Sequence, residues 1–170
     1  MFLNFMQIFY TYDYGKRIYE EMLIKSSSID EYTLARHGNK FYMIPSKKLT
    51  GDDAYNTLPP QIIYEKGQVQ DNLVFFNMVG KFMCTINDKL EGCLDKTNAY
   101  FHIIKDHDGM HYKIHSADKD LCVAVGPRDH RNNRYAVELE KCTGGLNEKF
   151  MFIPVTSKEE VHLKVIEKSI

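Results

Sequence analysis

Thr97-Asn98-Ala99-Tyr100-Phe101-His102-Ile103-Ile104 and Leu146-Asn147-Glu148-Lys149-Phe150-Met151-Phe152-Ile153 carry one pattern, Asn-x-x-Phe running directly into an apolar stretch. Asp71-Asn72-Leu73-Val74-Phe75-Phe76-Asn77-Met78 shows it a third time. Asn suits a turn because its side chain bonds nearby backbone, and β-branched and aromatic residues suit the pleated surface of a strand. The pattern reads as three turns, each delivering an aromatic ring into a strand. Upstream of the last two copies, Phe82-Met83-Cys84-Thr85-Ile86 resembles Leu121-Cys122-Val123-Ala124-Val125, and a strand with a second cysteine, Cys93 or Cys142, follows each. Self-similarity of this kind marks an architecture that uses one supersecondary unit repeatedly.

Outward from these segments the chain continues as short strands. Tyr32 to Arg36, Lys40 to Ile44, Gln61 to Glu65 and Leu73 to Val79 are separated by turn-forming pieces such as His37-Gly38-Asn39, Gly51-Asp52-Asp53 and Pro59-Pro60. Lys81 to Ile86 and Leu90 to Leu94 flank Asn87-Asp88, a short hairpin signal without the favoured glycine. Phe101 to Lys105, Met110 to His115, Leu121 to Val125, Ala136 to Lys141 and Phe150 to Val155 complete the set. Three pseudo-repeats of three or four strands predict an all-β chain closed as a β-trefoil, with Phe75, Phe101 and Phe150 in equivalent core positions.

We place this domain over residues 29–155. Residues 1–28 form an N-terminal extension. In it, Met1 to Tyr12 is apolar over the length of a signal-peptide core, yet has no Lys or Arg before Lys16 and no small-residue cleavage site, so a leader and a strand both fit. Lys16 to Lys25 sets Ile18 and Met22 on one helical face, with Glu21 four residues before Lys25, and predicts a short helix. Residues 156–170 form a tail in which Thr156-x-x-Glu159 and Ser157-x-x-Glu160 have capping-box spacing, and a short C-terminal helix is expected after Pro154.

With 170 residues and 44% hydrophobic content, the chain can bury one core of its own. Its 22 Lys and Arg against 23 Asp and Glu leave a net charge of -1, without the basic excess that phosphate neutralisation demands, so nucleic acid is not an expected partner. No apolar run reaches the roughly 18 to 20 residues needed to cross a bilayer.

The third unit also resembles a known family. Leu121-Cys122-Val123-Ala124-Val125, then Val137-Glu138-Leu139-Glu140-Lys141-Cys142, then Asn147-Glu148-Lys149-Phe150 is similar to the ricin B-type lectin repeat, in which a Cys-containing strand, a second strand ending in Cys and an Asn-Gln-x-Trp strand succeed one another. The likeness runs from about Ile29 to Val155. Glu148 and Phe150 stand at the Gln and Trp of that motif, Ala99 and Phe101 in the middle unit. The Asp that the family places two residues after the first cysteine is Ala124 or Ile86 here. The resemblance implies a lectin whose partners are glycans or glycoproteins.

It also implies disulfides between Cys84 and Cys93 and between Cys122 and Cys142, each contributing roughly 2.5 to 3.5 kcal/mol in the chain-entropy model. Bridges would suit a secreted or cell-surface location. Small buried thiols also sit unpaired in cores, an alternative that the sequence leaves open. Neither pair has Cys-x-x-Cys spacing, so no zinc ribbon is expected. His107, His111 and His115 recur every four residues, but Asp108-Gly109 interrupts them with a turn, and strand residues four apart stand about 13 Å from each other. They read as exposed strand histidines. No metal or cofactor is expected, and no nucleophile elbow, phosphate loop or zinc-protease motif suggests an enzyme.

By position in the motif, the resemblance assigns sugar contacts to Asn72, Asn98 and Asn147. Near the third of these, Tyr135 would supply a stacking ring, and Asp129, in the loop from Gly126 to Arg134, would stand in for the missing carboxylate. Each asparagine has an alternative role as a turn residue, and each phenylalanine as core. Two other functions fit the same fold. One is a protein ligand of growth-factor or cytokine type, to which residues 79–92 are similar, acting on a protein receptor. The other is a degenerate trefoil acting as a structural interaction module.

Overall fold

The computed structural model describes residues 18–46, 61–64 and 73–154. Among them twelve strands occur: β1 Ile18–Ser26, β2 Tyr32–His37, β3 Lys40–Pro45, β4 Gln61–Tyr64, β5 Leu73–Met78, β6 Lys81–Ile86, β7 Lys89–Cys93, β8 Phe101–Lys105, β9 Tyr112–Ser116, β10 Leu121–Asp129, β11 Arg134–Lys141 and β12 Phe150–Pro154. The all-β expectation holds. Met1 to Tyr12, read as a leader or a strand, the helix expected after Pro154, and Asn72 lie outside the described residues.

Six strands pair antiparallel in a closed ring. β1 pairs with β4, β4 with β5, β5 with β8, β8 with β9, β9 with β12, and β12 returns to β1. Closure leaves no exposed sheet edge on the barrel. The remaining strands form the hairpins β2–β3, β6–β7 and β10–β11, and β3 joins β11 through the pair Phe41 and Val137. The principal core lies inside the barrel and beneath the hairpins, with Met22, Ile24, Phe76, Phe101, Ile114, Phe150 and Phe152 among its buried residues.

From Ile18 onward, the helix predicted over Lys16 to Lys25 is instead strand β1, paired on one side with β12 and on the other with β4. The i,i+4 pairing of Glu21 with Lys25 contributes only a few tenths of a kcal/mol. Burying Met22, Leu23 and Ile24, each at most 6% exposed, contributes far more and requires the extended backbone. The barrel thus takes in residues upstream of Ile29.

Phe75 also departs from expectation. Phe101 and Phe150 open β8 and β12 and lie in the principal core, whereas Phe75 lies inside β5, in a separate cluster with Cys84 and Ala99. Val74 and Phe76, its neighbours in sequence, point into the principal core. Strand alternation sends Phe75 the other way.

Arg36 fastens a hairpin to the barrel. It is 6% exposed; its Nε donates to the Met78 carbonyl at 2.8 Å, and its two terminal nitrogens donate to the Gly38 and Val79 carbonyls at 2.6 and 2.9 Å. Val79 and Gly80 make the tight β5–β6 turn with φ of 52° and 81°. For a β-branched residue such a φ is strained, and the fork of the guanidinium holds it in place. Burial lowers the Arg36 pKa, but guanidinium stays charged. Arg36→Lys, which keeps the charge but loses the planar fork, should cost about 2 kcal/mol in urea denaturation. A loss below about 0.5 kcal/mol would show the fork to be dispensable.

Both cysteine pairs are bridged, Cys84 to Cys93 across the β6–β7 hairpin and Cys122 to Cys142 across β10 and the end of β11. No free cysteine remains. No helix among the described residues is long and apolar enough to cross a membrane.

Candidate functional site

The residues flagged around the third unit fall into two groups on opposite faces of β11. Tyr135 and Leu139 pack against the principal core, to which the buried Val137 belongs. Glu138 and Glu140, in the alternate positions, face outward. Asn147, in a short 3-10 turn over Leu146–Glu148, reaches that outer side, where its Nδ2 donates to Glu140 Oε1 at 3.0 Å and to the Val125 carbonyl at 3.3 Å. The fold therefore gathers Asn147, Glu140 and Glu138, and does not bring the Tyr135 ring to them.

Tyr135 is half-buried, edge-on to Tyr32 with ring centroids 5.2 Å apart, and the Arg128 guanidinium lies 5.8 Å from its centroid. Asp129 sits at the tip of the same hairpin, accepting from Asn132 Nδ2 at 2.7 Å and from Arg134 Nε at 3.1 Å. These donors hold its carboxyl below the usual carboxylate range. It is thus already engaged, about five strand residues or 16 Å from Ala124. Glu138 is the cross-strand partner of Ala124 and leans over Gly126, where an added Cβ would lie 3.1 Å from its Oε2. A carboxylate is present beside the position that lacks one, on the neighbouring strand.

Asn98 is exposed just before β8, its carbonyl accepting from the Thr85 amide at 2.8 Å. His111 is not on a strand; its Nδ1 meets Asp108 Oδ2 at 2.6 Å and closes the turn before β9. His115 lies on β9, half-buried.

The sequence marked Glu148 only as the residue at the Gln of the lectin motif, yet it anchors the site. It is fully buried, with its carboxylate accepting from the Thr143 amide at 2.9 and 3.0 Å, the Thr143 hydroxyl at 2.6 Å and the Gly144 amide at 3.0 Å. Burial opposes its charge, but these donors outweigh that and hold its pKa below the ordinary value. They fix the loop that carries Asn147. The usable signal was a Glu entering an apolar strand right after Thr143-Gly144-Gly145, three residues rich in free backbone donors. A second feature, a cavity of about 570 Å³, opens where β3, β7 and β11 meet, with Lys40, Tyr42, Lys89, Leu90 and Glu138 in its wall.

No protein-family model and no curated protein sequence matches the chain. Solved structures do. The ricin B-like lectin of Macrolepiota procera, solved in complex with lactose, is 12% identical with a TM-score of 0.56, over 83% of this chain and 96% of that one. The BEL β-trefoil is 13% identical with a TM-score of 0.58, over 85% and 96%. The cytolethal distending toxin of Haemophilus ducreyi is 15% identical with a TM-score of 0.62, over 84% and 86%. The closed barrel with three hairpins thus has the β-trefoil fold.

Proposed function

We propose that this protein is a non-enzymatic, secreted carbohydrate-binding trefoil made of three four-strand units, β1–β4, β5–β8 and β9–β12. The observation that carries the reading is the outer face of β11, where Glu138, Glu140 and Asn147 present two carboxylates and an amide opposite Ala124. Ionised carboxylates are strong acceptors for hydroxyl donors, and an adjacent amide can both donate and accept, the combination that a pyranose with neighbouring hydroxyls requires. Glu138 takes the place that Asp129 was expected to fill. Asn98 marks a second, simpler contact in the middle unit, and Tyr135 with Asp129 forms a separate polar and aromatic tip. The two disulfides support an oxidising location.

A shallow face of this kind binds one sugar at about millimolar affinity, near 4 kcal/mol, and gains by multivalency. On a glycan array read with multivalent protein, Asn147→Ala and Glu138→Gln should abolish the signal, and Tyr135→Ala should leave most of it. Gly145→Ala is the sharper probe. A Cβ there would come 2.8 Å from Asn147 Oδ1, so the amide must turn away at little cost to folding. Loss of glycan signal with unchanged melting would support the site. No signal for the parent protein on a broad array would sink the lectin reading.

A further inference from the structure

A second site adjoins the glycan face, since Cys122 shares the face of β10 that carries Ala124 and pairs across the ladder with Glu140. His115 on β9 is the direct cross-strand partner of Cys122 on β10, and Cys122 is bridged to Cys142 just beyond β11. One ligating atom from each of His115, Cys122 and Cys142 lies within 4.8 Å of the other two. In the oxidised protein the sulfurs are bonded to each other and cannot hold a cation.

We propose that reduction of the Cys122–Cys142 bridge converts this cluster into a Cys2His site for a soft divalent cation, zinc above all. A dithiol donates two electrons and two protons, the S–S bond breaks, and the dithiol leaves as its own disulfide. On binding, the two thiols release their protons to solvent and ligate as thiolates.

The histidine is prepared for this role. Its Nδ1 lies 2.7 Å from the Ser116 carbonyl, which can only accept, so Nδ1 donates to it and Nε2 is the ring nitrogen left to ligate. A ligand imidazole is commonly fixed in this way by a carbonyl on its far nitrogen. Nε2 lies 3.6 Å from Oδ1 of Asp120, an exposed carboxylate outside the three-residue cluster, so the fourth position on zinc would be open to water. Two thiolates on zinc stand about 3.8 Å apart. Cys122 is buried in a paired strand, so Cys142 must supply the movement, and it can, lying half-exposed past the end of β11.

The test uses the full chain, reduced with a phosphine that does not chelate metals, and Co2+ as a spectroscopic probe for zinc. We expect one equivalent to bind with thiolate charge-transfer and tetrahedral ligand-field bands, and none to bind the oxidised protein. His115→Gln should weaken binding more than about tenfold. Removing the other pair, as Cys84→Ser with Cys93→Ser, should leave the bands intact. If reduction unfolds the apoprotein, added Zn2+ should restore its near-ultraviolet circular dichroism. Reduced protein that gives no tetrahedral spectrum and no refolding, or a Cys122→Ser variant that binds like the parent, would overturn the proposal.

Discussion

Phe101→Ala should lower the unfolding free energy by about 3 to 5 kcal/mol, the range for removing a fully buried ring from a core that cannot collapse around the gap. Phe101 has no exposed surface, and its backbone is held on both sides, opposite Val74 on β5 and Ser116 on β9. Its ring meets Phe76 edge-on at 6.0 Å; Phe76 stacks on Phe152 at 6.3 Å, and Phe152 meets Tyr112 at 5.5 Å. These four rings link strands around the barrel, and such contacts add about 0.5 to 1.5 kcal/mol each beyond area burial. The closed ring resists collapse, so the cavity term should persist. In a chain of this size the melting temperature should fall by roughly 10 °C. Phe82→Ala, removing a half-buried ring of the smaller cluster, should cost clearly less. Equal losses would mean that the barrel interior is not the stability-determining core.

The strands legible in the sequence were those whose local chemistry and tertiary role agree. Lys81–Ile86 and Phe101–Lys105 are found as expected. The Asn87-Asp88 hairpin forms without glycine because both residues adopt positive φ, 51° and 63°, which Asn and Asp tolerate better than most. Strand β1 was illegible because helical spacing and strand alternation coincide over residues 18–25, and only its two partners decide between them. The three-copy Asn-x-x-Phe pattern contained one misregistered member. Asn98 and Asn147 precede β8 and β12, but Asp71 to Met78 runs into β5, which follows β4 in the ring rather than replacing it. A turn followed by an aromatic strand looks alike wherever it enters a barrel, so composition alone could not separate the two kinds of strand. At the site, the position of Asn147 was readable from its motif. That Tyr135 faces away from it follows from alternation along β11, counted from a buried Val137 that only the structure identifies.

Glu148 gives the pH-dependent counterpart to the Phe101 cavity. Glu148→Ala removes an acceptor from the Thr143 amide, the Thr143 hydroxyl and the Gly144 amide, bonds that are charge-assisted and shielded by burial. The expected loss is about 3 kcal/mol near neutral pH, less than the sum of the bonds because part of the loop can turn its donors to water. Glu148→Gln keeps one acceptor oxygen but points an NH2 group at donors, and should lose about 2 kcal/mol. The folded pKa lies below the ordinary glutamate value of 4.5, so ionisation stabilises the fold fully above that value, and the contribution is lost as pH falls through the folded pKa. The gap between parent and Glu148→Gln should therefore be widest near neutrality and narrow in acid. Urea titrations at about pH 7 and about pH 3 read this directly, and a gap that stays constant would show that the carboxylate acts only by its shape. Because the same loop holds Asn147, Glu148→Ala should also weaken glycan binding at neutral pH while the protein is still folded, although Glu148 is buried and touches no ligand.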